Sequence, residues 1–267
     1  MTDLPTASPS TISSVAAILQ AIAWPIVAAL LLIIYKSKIG KLFDVLTRKL
    51  ETATKVKAWQ LEIETAEQDV QDVVQRTGEN AKGQTLDANI PEAQVRAAHE
   101  VNKRLQESPL SEQRAAGVAQ RQMQVLVSEY DELREGMPGG SARTGAMNEV
   151  AAKMRALSLA ARPVLRSFMS GNSAGERLAA ICILQVVPES GFFPWLVDRI
   201  KTEDQAFILF QASVAILELI AKGRSAYDRE VVKRGINQAL QHVKNFKGGT
   251  PDRNTVDVLT QALAEVG

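Results

Sequence analysis

The chain has 267 residues, and its 31 Lys and Arg against 30 Asp and Glu leave a net charge of +1. This balance gives no electrostatic reason to expect binding to nucleic acid. The one cysteine, Cys182, excludes a disulfide framework, and together with only two histidines, His99 and His242, it argues against a Cys/His zinc site. Few aromatic residues and abundant Ala, Leu, Val, Gln and Glu favour helices over sheets.

Residues 15–35 contain no charged side chain and read VAAILQAIAWPIVAALLLIIY. A helix of this length would reach about 31 Å, close to the hydrocarbon thickness of a bilayer. Lys36, Lys38 and Lys41 follow it, whereas residues 1–14 hold no Lys or Arg. A cleaved signal peptide is the alternative, but it would have a basic start and a shorter apolar run. The positive-inside rule therefore predicts a single transmembrane helix at 15–35, an extracytoplasmic segment at 1–14 and a cytoplasmic remainder.

Small residues follow one face of this predicted transmembrane helix. Ser13, Ala17, Ala21, Pro25 and Ala29 recur every four residues, and Gln20 lies near the same face. Such spacing lets two transmembrane helices approach closely, and a glutamine can hydrogen-bond to a neighbour. The pattern predicts membrane helix packing and a possible homo-oligomer. The alternative is the ordinary alanine content of an anchor, and a pore is the less favoured outcome.

Residues 36–75 carry mostly basic side chains in their first part and mostly acidic side chains in their later part. The basic part suits an amphipathic helix against anionic headgroups, although its charge could serve topology alone. The predicted lipid contacts are Lys36, Lys38, Lys41, Arg48 and Lys49. Residues 57–64 include an apolar-polar alternation typical of a strand, but a helix continuing from the membrane is slightly favoured.

Taken together, this N-terminal region resembles a membrane-anchor module found upstream of many unrelated bacterial domains. The matching features are Trp24-Pro25, the apolar run to Tyr35, Ile39, Leu42, Leu46, Lys57 and the Glu62/Glu64 alternation. Gln60 stands where such modules usually have glycine. The resemblance implies a bacterial inner-membrane protein and carries no function of its own.

Residues 76–90 are polar and rich in turn-forming residues, which predicts a linker. Gly78, Gly83 and Thr85 have the spacing of a phosphate-binding loop, but Gln84 replaces the lysine that would reach the phosphates. Residues 91–162 then predict a helical hairpin region, with helices from Pro91 to about Gln106, from Ser111 to near Gly136 and over Met147–Ala161. The segment Met137–Gly145 between the last two is predicted to be a loop.

Residues 163–267 predict a further series of short helices. The helix through Ile220 is apolar nearly all round, but its run of about sixteen residues is interrupted by polar side chains and is short for a membrane span. We therefore expect a buried core helix, begun by a capping box at Thr202 and Gln205. Whether residues 91–162 pack with residues 163–267 stays open.

Residues 176–222 resemble HEAT-like repeats. The inner helix of one unit has Arg177, Ala179, Ala180 and Leu184 in the repeat's positions. The outer helix of the next unit is Pro194–Ile200, followed by the turn Thr202-Glu203-Asp204. The following inner helix keeps Ala212 and Leu217 but has Phe210 in place of the arginine. The resemblance implies an α-solenoid scaffold that binds proteins, and it implies no catalytic residues.

The sequence thus predicts an all-α protein with one transmembrane helix, an amphipathic juxtamembrane helix, a linker and a cytoplasmic helical-hairpin domain. With no nucleophile elbow, metal cluster or phosphate loop, we expect no enzyme, no cofactor and no catalytic or metal residues. The leading hypothesis is an inner-membrane scaffold or adaptor that recruits or senses a protein partner. The alternative is an oligomeric membrane effector or channel-like protein triggered through its cytoplasmic domain. The expected partners are membrane lipids, an unidentified protein and a second copy, with no nucleic acid.

Overall fold

The computed structural model describes residues 60–84, 87–222, 228–246 and 253–267, together with Pro25. The chain divides into two compact units, Met1–Gln60 and Leu61–Gly267. Apart from Pro25, which is helical and exposed, the predicted transmembrane helix and basic segment lie outside the described residues. None of the helices in the described ranges has both the length and the apolar character that crossing a bilayer requires.

The described part of the second unit is all-α, as predicted. Its first helix, α1, covers residues 60–81. The others are α2 (Glu92–Glu107), α3 (Glu112–Gly136), α4 (Ser141–Ala161), α5 (Leu165–Met169), α6 (Ala174–Val186), α7 (Phe193–Thr202), α8 (Ala206–Ala221), α9 (Arg229–Lys244) and α10 (Arg253–Val266). Short 3₁₀ turns at Arg162–Val164 and Ser190–Phe192 precede α5 and α7.

The helices form a stack that resembles a helical-repeat protein. Helices α4, α6, α8 and α10 pack side by side in that order. Helix α3 covers α4 and α6, α5 covers α6, and α7 and α9 pack on each other and on α8 and α10 respectively. Helix α2 lies against α4. The packing of α4 and α3 on α6 joins residues 91–162 to residues 163–267, and one continuous hydrophobic cluster runs from Ala66 to Val266.

Helix α8 illustrates why the inner row is buried. Of its 16 residues, 12 are buried, and only short polar interruptions break the apolar sequence. Ser213 satisfies its hydroxyl by donating to the Leu209 carbonyl at 2.9 Å. The prediction that this segment is a core helix is therefore confirmed. Helix α9 shows the opposite pattern, because its buried residues follow a single stripe that includes Val232, Ile236 and Val243.

Helix α1 continues six residues into the segment predicted to be a linker, so the linker prediction is wrong for residues 76–81. The buried residues Val70, Val73, Thr77 and Ala81 continue one helical stripe through the polar sequence. Gly78 allows the close approach to α4, since a Cβ there would lie 2.5 Å from Cε of Lys153. The helical state of residues 60–64 also agrees with the helix that we favoured over a strand.

Two other local predictions are wrong. Helix α4 begins at Ser141, inside the predicted loop, because Gly140 takes φ 148° and lets the chain enter the helix early. The predicted capping box at Thr202 and Gln205 does not form, because the Thr202 hydroxyl donates back to the Asp198 carbonyl at 2.9 Å. A capping box does start α6, where the side chain of Ser173 accepts from the backbone of Glu176 and the reverse bond also forms.

Candidate functional site

The site residues predicted from the sequence belong to the first unit. Ser13, Ala17, Gln20, Ala21 and Ala29 of the membrane helix face lie outside the described residues. The lipid-contact residues Lys36, Lys38, Lys41, Arg48 and Lys49 do so as well. Pro25 is described as helical and exposed, which does not test its role in helix packing. In the described part of the chain, no group of three or more His, Cys, Asp or Glu could hold a metal ion.

The most unusual feature of the described unit is a pair of buried cations on α4. Lys153 and Arg155 are each only 5% exposed. They are buried because α4 packs against α2, α3 and α6, which leaves the middle of the helix no face toward solvent. Their partners differ completely, and that difference defines the candidate site.

Arg155 is held by three glutamines from three other helices. Its Nε donates to Oε1 of Gln185 at 2.6 Å, and its two Nη atoms donate to Oε1 of Gln94 at 2.8 Å and of Gln211 at 2.6 Å. A guanidinium has five N–H donors, so these bonds use three and leave two. Among the described residues, no carboxylate forms an ion pair with Arg155. The charge is therefore compensated by amide dipoles alone.

The orientation of the glutamines is determined by the network itself. Oε1 of Gln211 accepts from both Arg155 and Nε2 of Gln185, so an oxygen must stand at that position. Nε2 of Gln185 also donates to the Gln211 carbonyl at 2.8 Å. The remaining amide nitrogen, Nε2 of Gln211, is buried and has no hydrogen-bond partner in the described structure. The network thus has donors in excess of acceptors.

Burial sets the electrostatics of this network. It lowers the pKa of Arg155, while the Cys182 thiol and the Glu218 carboxyl act in the opposite direction. Burial also raises the pKa of Cys182 to about 11, although the positive charge of Arg155 opposes that rise. Arginine keeps its proton in proteins even so. A full positive charge therefore lies in the helix stack with no carboxylate bonded to it among the described residues, which is costly in a low-dielectric interior.

A cavity of about 380 Å³ lies beside this charge. Its buried lining includes Gln94, Asn148, Arg155 and Gln211. Asp87 and Asn89 also line it and are exposed, so they mark its solvent side. Oδ1 of Asp87 accepts from the backbone N–H of Asn89 at 3.0 Å, which holds this short segment before α2 in a turn. The cavity thus connects a buried cation to solvent.

The buried Lys153 and the partly buried Arg177 have carboxylate partners. Nζ of Lys153 lies 3.1 Å from Oε1 of Glu129 and 3.3 Å from Oε1 of Glu149. Nε of Arg177 lies 2.8 Å from Oε2 of Glu203, whose side chain is 1% exposed. Each of these cations is paired with at least one carboxylate of the protein, so we interpret both groups as structural. Arg155 differs from both because its surroundings are neutral and it borders a cavity.

Comparison of the chain with protein-family models, curated proteins and solved structures found no match.

Sequence reasoning assigned no role to Arg155. The sequence predicted only a helix over Met147–Ala161. A signal was nevertheless present, since the sequence around Arg155 is dominated by Ala, Met and Leu on every face. The partners Gln94, Gln185 and Gln211 come from distant segments, and no spacing rule links them.

Proposed function

We propose that the chain is a single-pass inner-membrane protein whose helical unit acts at the cytoplasmic face as a scaffold or adaptor that recruits or senses a protein partner. The observation that carries the proposal is the order of parts. A predicted anchor at 15–35 and a basic segment precede a stacked-helix unit that begins at Leu61. Stacked helical units present extended surfaces that commonly bind proteins.

The contact between α6 and the α7–α8 turn supports the HEAT-like part of this proposal. Arg177 of α6 bonds with Glu203 in that turn through Nε at 2.8 Å and Nη2 at 3.3 Å. Glu203 also accepts from the backbone N–H groups of Asp204 and Gln205. This one carboxylate joins one helical hairpin to the next, as expected of a repeat array in which each unit contacts its neighbours.

The membrane part of the proposal rests on the sequence. The basic residues from Lys36 to Lys49 are placed to contact anionic headgroups just inside the predicted membrane helix. Helix α1 follows closely along the chain and packs into the stack, through the bond from Nε of Arg121 to Oε1 of Glu67 at 2.7 Å among others. We therefore take the unit that binds partners to begin at residue 61 rather than at residue 91.

The experiment exchanges residues 15–35 for an unrelated single-pass apolar span. The original chain, the exchanged chain and residues 1–60 alone are expressed, extracted from membranes with mild detergent and compared for co-purifying proteins and for mass by light scattering. A scaffold predicts that the same partner is recovered with the original and the exchanged chain and is lost with residues 1–60.

The competing oligomeric effector gives the opposite pattern. It predicts a discrete oligomer that dissociates when the span is exchanged, with no partner retained by the helical unit. Recovery of the chain in the soluble fraction would remove the anchor from the proposal altogether.

A further inference from the structure

We propose that the cavity beside Arg155 binds a small organic anion, a carboxylate or a phosphate, whose charge supplies the counter-charge that Arg155 lacks. This anion site does not depend on the proposed scaffold function. Anion binding goes beyond that function, because the cavity would bind its ligand whether or not a partner protein is recruited.

The buried charge is the first reason. A cation 5% exposed normally pairs with a carboxylate, as Lys153 does in the same unit, and even the partly buried Arg177 has such a partner. Three amide oxygens orient the guanidinium of Arg155 but leave its net charge uncancelled. An anion placed at the cavity would remove this imbalance, and it would do so in a low-dielectric setting where each charge interaction is strengthened.

The hydrogen-bonding pattern is the second reason. Arg155 retains two N–H groups, and each glutamine directs its oxygen toward the guanidinium. Gln94 and Gln211 line the cavity and bond to Arg155 through their oxygens, and Nε2 of Gln211 is buried without an acceptor in the described structure. Nδ2 of Asn148 is only weakly engaged, at 3.5 Å from the Gln84 carbonyl. The lining therefore offers several donors to a ligand that brings acceptors, which is what carboxylate and phosphate oxygens are.

The size and the solvent side of the cavity set the class of ligand. A volume of about 380 Å³ lies at the small end of the range for small-molecule sites. The exposed Asp87 would repel a second anionic group there and favour a hydroxyl or an amine. The ligand class is therefore a small molecule with one anionic end and a neutral or cationic other end, or a simple inorganic anion.

The test uses the full chain in mild detergent, with binding followed by calorimetric titration and by thermal unfolding. The probes are sodium phosphate and sodium lactate, with sodium chloride at matched ionic strength and glycerol as a neutral control. Gln94→Glu is the decisive variant. Gln94 uses only its oxygen, so the exchange keeps the bond to Arg155 while placing a carboxylate beside it.

We expect phosphate or lactate to bind the original chain and to raise its unfolding temperature, and the probe that binds tells which anionic group the site prefers. Gln94→Glu and Arg155→Met should each weaken binding at least about tenfold, the loss expected for a charged hydrogen-bonded contact. Lys153→Met, which alters a cation that does not line the cavity, should change binding less than about twofold.

The proposal is overturned if neither anion binds more tightly than chloride, or if Gln94→Glu binds as well as the original chain. If Arg155→Met fails to fold, Gln94→Glu alone decides, because its charge and shape are accommodated by the existing contact.

Discussion

Two cations lie two residues apart on α4, and they show two ways of keeping a charge inside a helix stack. Lys153 is surrounded by the carboxylates of Glu129 and Glu149. Arg155 is surrounded by the amides of Gln94, Gln185 and Gln211. The first group contains its own counter-charges, one ammonium against two carboxylates. The second is oriented but not neutralised, so it projects positive potential into the neighbouring cavity.

The comparison teaches that hydrogen bonding and charge compensation are separate requirements. A guanidinium can satisfy its donors with neutral oxygens and still bear most of the cost of burial. Lys153 and Arg177 have bonded carboxylates, whereas Arg155 has three of its five donors bonded to neutral oxygens and no bonded carboxylate among the described residues. Substitutions at these charges and a pH series test this distinction.

Glu203→Gln should have the largest effect, because it turns a compensated cation into an uncompensated one. Arg177, with a side chain 17% exposed, would lose its counter-charge while the shape of the site is kept. We expect a loss of about 3 kcal/mol in the free energy of unfolding, the low end for a broken buried pair. Urea unfolding followed by circular dichroism measures it.

Glu189→Gln is the matched control for this substitution. It removes the partner of Arg162 in a pair whose side chains are 56% and 32% exposed. Such a surface pair should cost less than about 1 kcal/mol. Equal losses in the two variants would show that burial does not distinguish these pairs.

Raising the pH should lower the free energy of unfolding through ionisation of the buried Cys182 thiol. Burial raises the pKa of this thiol to about 11, so the folded chain keeps a proton that the unfolded chain begins to release near its ordinary value of 9.0. Stability is therefore fully present below about pH 9 and falls as pH rises toward 11, by about 2 to 3 kcal/mol in total. Urea unfolding at a series of pH values measures this loss.

Cys182→Ser is the control, because a serine does not ionise in this range. Its stability should stay level until about pH 10, where the buried Tyr130, whose pKa is also raised by burial, begins to contribute. Lys153 also makes the folded chain less stable as pH rises above 10.5, the ordinary pKa of lysine, because its pKa in the folded chain is raised. Burial lowers its pKa, but Glu129 and Glu149 more than reverse that effect. A Cys182→Ser chain that still lost stability from pH 9 would assign the effect to another group.

Replacing each of the two α4 cations, Lys153 and Arg155, by methionine compares their contributions to stability directly. Lys153→Met leaves two carboxylates facing each other and should cost about 2 kcal/mol. Arg155→Met loses three hydrogen bonds but also removes an uncompensated buried charge, so we expect a net change within about 1 kcal/mol. Urea unfolding of both variants decides the order. A larger loss for Arg155→Met would mean that the glutamines compensate the charge better than we argue.

Gln94→Glu should give the smallest change, and in the stabilising direction. The new carboxylate replaces an amide oxygen 2.8 Å from Nη1 of Arg155, and we expect a gain of about 1 kcal/mol in the free energy of unfolding. Gln106→Glu, an exposed position on the same helix, is the control and should remain within about 0.5 kcal/mol of the original. A destabilised Gln94→Glu chain would contradict the idea of a missing counter-charge.

The fold was predictable where apolar periodicity dominates. The burial of α8 follows from its composition, and the positions of α2 and α3 follow from Pro91, Ser111 and Gly136. The extension of α1 was missed because turn-forming residues concealed the stripe through Val73, Thr77 and Ala81. The Arg155 network was missed for a different reason, since the partners of a buried charge are determined by how helices stack and not by local spacing.

The packing of α1 has a consequence for how signals could travel. Residues 61–81 form a stiff rod against α2, α3 and α4, and the chain leaving this rod supplies Gly83 and Gln84 to the cavity lining. A displacement of this rod as a whole would therefore move two lining residues of the cavity, about six helical turns from its first residue. By reciprocity, an anion that favours one shape of the cavity would bias the position of the rod by the same free energy. Helix α1 would thus couple its own position to anion binding in the cavity, and the coupling would act in both directions.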